Sequence, residues 1–121
     1  MGGPTDLLAL KRAVVGSIDF SSQVRDFADH PSGTINYVSA HDNLTLLDKT
    51  SLALPGAQDA EIKQSLRFAL ATVLLSQGIP FLEGGSELGR TKGGNHNSYN
   101  AGDSVNQFDW ERAARYQDVA T

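Results

Sequence analysis

His41, Asp42 and Asn43 set an imidazole, a carboxylate and an amide in three consecutive residues, a group able to donate and accept several hydrogen bonds. The triplet follows Ile35-Asn36-Tyr37-Val38-Ser39-Ala40, a short run rich in β-branched and aromatic residues of the kind that forms a buried strand. The C-terminal end of a parallel strand is where open α/β sheets and barrels hold their active sites. Asp and Asn also build plain turns by bonding backbone amides, so the residue types alone leave both roles open. Glu83 and Glu87 flank Gly84-Gly85. One of them could join Asp42 as the two carboxylates of a glycosidase. Alternatively, both bond loop amides or pair with Arg90 or Lys92.

Other combinations carry less chemistry. His30, His41 and His96 are too dispersed for a metal triad, and no metal site is expected. Gly84, Gly85 and Gly89 lack the spacing that cradles phosphate ahead of a helix. Asn43-Leu44-Thr45 matches a glycosylation sequon, a triplet common by chance. Asn95 to Asn100, with His96, Ser98 and Tyr99, and then Trp110, have a composition suited to sugars, whose hydroxyls meet amides and whose ring faces meet aromatic rings.

The elements that must position these groups follow from periodicity. Thr5 can cap a helix carrying Leu7, Leu8, Leu10, Val14 and Val15, with Gly16 as its stop. Residues 17–33 keep no period and read as a structured connection. After the first strand the chain passes Pro55-Gly56, a turn signal. A helix then begins near Asp59 and presents Ile62, Leu66, Ala69, Leu70, Val73 and Leu74 on one face up to Gly78. Ile79-Pro80-Phe81-Leu82 reads as a second strand ending at Gly84. Strand, helix and strand make a βαβ unit, whose parallel strands need cover on both faces. The stretch from Gly93 to Asp103 reads as a long irregular loop. No repeat or low-complexity linker divides residues 1–121.

The chain has 121 residues, 40% of them hydrophobic and 20% charged, as a soluble globular protein would. A net charge of −4 with scattered basic residues gives no phosphate-binding stripe, so no nucleic-acid partner is expected. There is no cysteine, hence no disulfide and no thiolate ligand. Met1-Gly2-Gly3-Pro4 lacks the features of a signal peptide, and no apolar run is long enough to span a bilayer. No membrane association is expected, and the compartment stays open.

The segment from Ile35 to Leu46, with His41-Asp42-Asn43 at its centre, closely resembles the strand-seven motif of the α-amylase superfamily, glycoside hydrolase family 13, in the form seen in type I pullulanases. Gly78 to Glu87 looks like the strand-eight motif, and Arg90-Thr91-Lys92 with Asn97-Ser98-Tyr99-Asn100 is similar to a loop of debranching members. Where plain amylases often carry Tyr, this chain has Leu82.

That resemblance implies an α/β chain forming part of a (β/α)8 TIM barrel, strands seven and eight with their helices and loops. Such barrels need about 250 residues to close, so residues 1–121 are expected to be one incomplete segment. It also implies a retaining hydrolase of α-1,6 bonds in pullulan or branched dextrins, with the nucleophile and general acid on strands outside this chain. Asp42 takes the role of transition-state stabiliser. His41, Asn43, Asn97, Tyr99 and Asn100 bind substrate, and Glu83 and Glu87 become supports of the barrel mouth. No cofactor is implied: calcium is common in the superfamily, but no ligand cluster here requires it. Protein partners would be the missing barrel portion or a second copy meeting exposed strand edges. The other readings are a non-catalytic carbohydrate-binding or assembly module, or part of an isoamylase or branching enzyme.

Overall fold

The computed structural model describes residues 7–121; the Thr5 cap lies outside the described residues. In chain order come α1 (Leu7–Val14), β1 (Ile35–Asn36), α2 (Leu46–Ala53), α3 (Asp59–Leu75), β2 (Ile79–Pro80), α4 (Asp103–Asn106) and α5 (Trp110–Arg115), with 3₁₀ turns at Pro31–Gly33, Ser86–Leu88 and Gln117–Val119. The chain forms two compact units, one of the described residues up to Tyr37 with Ala71–Phe81, the other of Val38–Leu70 with Leu82–Thr121.

In the first unit α1 ends where Gly16 takes φ +75°. Its amide bonds Ala13 O at 3.0 Å, and a Cβ there would approach Pro31 Cβ to 2.8 Å. Both conformation and space therefore demand glycine. The connection from Ser17 to Gly33 is ordered, as its lack of periodicity left room for: Ile18 bridges Ala28, and Val24 is buried.

β1 and β2 pair in parallel with Ile35 opposite Ile79 and Asn36 opposite Pro80, as the βαβ reading requires. Pro80 has no N–H to lose, and the ladder is carried on either side by Ile79 N to Thr34 O and Phe81 N to Asn36 O, both 2.9 Å. Two features differ from expectation. Each strand is two residues long, not the six and four that composition suggested. And neither is buried: Ile35 is 61% exposed and Ile79 50%. Among the described residues the two-stranded ladder has no further strand to extend it.

The second unit has a core of Leu46, Leu47, Ile62, Leu66, Leu70, Tyr116 and Val119, with Val38, Ala57 and Ala69 packed against it. Burying each large aliphatic side chain contributes roughly 1.5–3 kcal/mol, and Leu66, fully buried on α3, sits at the centre. α3 starts at Asp59 as its charge pattern predicts. Along its expected apolar face Ile62, Leu66, Leu70 and Val73 are buried, whereas Leu74 stays 55% exposed. Polar contacts fix the last turns of the chain on α3: Lys63 Nζ donates to Arg115 O at 2.5 Å and meets Asp118 at 2.9 Å, and the Tyr116 hydroxyl donates to Asp59 at 3.2 Å.

α2 was not foreseen. Thr45 caps it by accepting the Asp48 amide at 3.2 Å, so the Thr-x-x-Asp spacing was the available signal. Leu54 ends the helix and Gly56, at φ +81°, turns the chain toward α3.

Candidate active-site corner

The triplet sits between an anchored segment and the cap of α2. Before it, Ser39 is buried with its hydroxyl 3.3 Å from that of Ser86. After it, Thr45 and Leu46 enter the core. Between these anchors the His41 and Asp42 side chains stand 88% and 84% exposed, with Nε2 and Oδ2 3.3 Å apart. Asn43 holds φ +68°, a left-handed conformation that Asn tolerates better than most residues. Its Oδ1 accepts the Leu44 amide at 3.3 Å.

Lys92 holds this bend from behind. Its side chain is buried, and its ammonium donates to His41 O at 2.5 Å and to Asn43 O at 3.3 Å, the two carbonyls on either side of Asp42. Asp48 fixes Lys92 in turn, accepting the Lys92 amide at 3.0 Å and a short hydrogen bond from the Thr91 hydroxyl. Burial acts to raise the Asp48 pKa, but bonds from Thr91, the Lys92 amide, Thr45 and the Gly94 backbone outweigh it and hold the carboxyl below its ordinary value.

Glu83 and Glu87 have structural partners. Glu83 is buried and its Oε1 lies 3.0 Å from Arg90 Nη1, while Glu87 accepts the Gly85 amide at 3.2 Å. Arg90 also donates to Asn106 O at 2.9 Å, and the Asn106 amide group donates to Ser98 O at 2.8 Å and Ala101 O at 2.9 Å. The long loop is thus clamped from inside. Of the two cations considered as partners for these glutamates, Arg90 takes Glu83 and Lys92 serves backbone carbonyls. The pairing is incomplete, for Glu83 Oε2 and Arg90 Nε are buried without a hydrogen-bond partner.

Asn97, Tyr99 and Asn100 are exposed, Tyr99 to 81%, on the loop that Asn106 clamps. Among the described residues, no hydrogen bond joins them to His41, Asp42 or Asn43. The described residues contain no group of three His, Cys, Asp or Glu side chains placed to hold a metal ion. No helix is long and apolar enough to cross a membrane.

No protein-family model matches the chain. It is 39% identical over 118 residues to the pullulanase of Bacillus subtilis strain 168, which covers 98% of this chain and 16% of that protein. The solved pullulanase of Bacillus acidopullulyticus is 51% identical with a TM-score of 0.88, over 98% of this chain and 14% of that one. A mutant pullulanase from Paenibacillus barengoltzii complexed with maltotetraose is 50% identical with a TM-score of 0.88, over 93% of this chain and 17% of that one. Over nearly its whole length, therefore, the chain is homologous to pullulanases, of which it spans about one sixth, as a fragment of a type I pullulanase would.

Proposed function

We propose that residues 1–121 are one incomplete segment of a (β/α)8 catalytic domain, strands seven and eight with their helices and loops, from an enzyme that hydrolyses α-1,6-glucosidic bonds with retention. The observation that carries this reading is the open β1–β2 pair. Ile35, Tyr37, Ile79 and Phe81 are all more than two-fifths exposed, although parallel strands are otherwise found covered on both faces. In a barrel the neighbouring strands and helices supply that cover. Homology to pullulanases along nearly the whole chain supports the same reading.

In the proposed mechanism the nucleophile and general acid come from other strands. Asp42 binds substrate hydroxyls and stabilises the oxocarbenium-like transition state, and His41 donates a hydrogen bond to the same sugar. Their exposure leaves both side chains able to meet a sugar ring. Asn43 shapes the pocket, and Asn97, Tyr99 and Asn100 line the subsites around the branch of a pullulan-like α-glucan.

The test is a chimera in which this chain replaces the matching segment of the Bacillus subtilis pullulanase. The chimera should cleave pullulan, and Asp42→Ala should lower its kcat by about 10²–10³-fold. A chimera indifferent to Asp42→Ala would remove Asp42 from the mechanism. The 121-residue chain alone should release no sugar from pullulan, and Asp42-dependent release by it would overturn the incomplete-segment reading. The same exposed strands also suit a non-catalytic assembly module, which would change oligomeric state on adding maltooligosaccharide.

A further inference from the structure

Trp110 entered the sequence reading only through a composition suited to sugars, and neither it nor Phe108 belongs to the site proposed above. Their rings stack with centroids 5.9 Å apart at 27°, and Trp110 is 71% exposed. They belong to the wall of a cleft of about 490 Å³ that Lys92, Gln107, Asp109 and Arg112 also line.

The pair is built into place. Gly85 stands at φ +93°, and a Cβ there would come within 2.6 Å of Phe108 Cε1. The absent side chain is the space that the Phe108 ring uses. The Arg90 guanidinium lies 5.3 Å from the centre of the same ring, and is itself held by Glu83 and Asn106. Asp109 caps α5 by accepting the Arg112 amide at 2.9 Å, which fixes Trp110 as the first residue of that helix. An aromatic face held this way, with charged and amide groups around it, matches a pyranose, which has a C–H face and a rim of hydroxyls.

We propose that Phe108 and Trp110 form a stacking platform for a glucose unit of an α-glucan. The occupant follows from continuity with the candidate site: Lys92, which holds the carbonyls flanking Asp42, is also a wall of this cleft. The proposal rests on the glucan-processing reading above, and adds to it a subsite on the α4–α5 side of the loop.

Trp110 is the only tryptophan of the chain, so its fluorescence reports the platform directly. Titrating the full chain with maltohexaose should give a saturable blue shift, and β-linked cellohexaose a weaker one. Phe108→Ala should weaken binding about tenfold, close to the worth of one aromatic pair, while Phe108→Tyr should keep it. Imidazole NMR signals of His41, assigned through His41→Gln, report the other site in the same titration. A shift at Trp110 supports the platform whether or not His41 responds, and silence at His41 then counts against the Asp42 reading alone. A response at His41 with none at Trp110 overturns the platform and leaves that reading standing. No response at either up to millimolar sugar also overturns the platform. A blue shift that grows with protein concentration without sugar assigns the ring to contact with another copy, and overturns it too.

Discussion

Glu83 and Asp42 are both carboxylates beside a basic side chain, about 3 Å from it, yet they belong to opposite environments. Glu83 is buried against Arg90, whereas Asp42 shares open solvent with His41. Removing one partner of a buried pair leaves an uncompensated charge, while an exposed pair contributes little to stability. The contrast separates a carboxylate that keeps a loop in shape from one that stands in solvent beside an equally exposed imidazole. Proximity to a basic residue in the sequence could not tell them apart.

The comparison breaks most readily at Glu83. Glu83→Ala should lower the unfolding free energy by about 3–5 kcal/mol, read as a shift of the urea midpoint. Adding Arg90→Met should recover part of that loss. A loss no larger than that of Asp42→Ala would erase the distinction. Lys92→Met should cost about 1–3 kcal/mol, the worth of its charge-assisted hydrogen bonds to the part-buried His41 and Asn43 carbonyls, by the same measurement.

Asp48 sharpens the comparison through pH. Its carboxyl is held below the ordinary 3.8, so its contribution to stability is present above the unfolded value and lost as pH falls through the lower folded one. Urea midpoints of the parent chain should therefore drop below pH 3.8 more steeply than those of Asp48→Asn. Equal slopes would mean that the Thr91 and Lys92 bonds do not favour the ionised form. The smallest effect is at the triplet itself. Asp42→Ala and Asn43→Gly should each change stability by no more than about 0.5 kcal/mol, since the first is a surface change and the second suits a left-handed residue.

What could be read from residues alone divides along physical lines. α3 was legible because seventeen residues of amphipathic pattern, with Asp59 and Glu61 in the first turn, state their own boundaries. The parallel pairing of β1 and β2 was legible from the intervening helix. Strand length and burial were not, because both depend on neighbours that periodicity cannot supply. α2 had a readable cap in Thr45 and Asp48, but a short helix with a weak apolar stripe gives little else. At the candidate site the exposed triplet announces itself by composition. Its support does not: nothing in Arg90-Thr91-Lys92 says which cation will reach a carboxylate and which will reach two carbonyls.

Lys92 also makes this corner a clock. An ammonium enclosed behind His41 and Asn43 is shielded from acylating reagents while the loop is closed, whereas Lys11 is exposed and reacts at once. The rate at which Lys92 becomes labelled thus measures how often the loop lifts away from α2. Under the proposed reading, that interval bounds how long His41 and Asn43 keep one shape for a sugar.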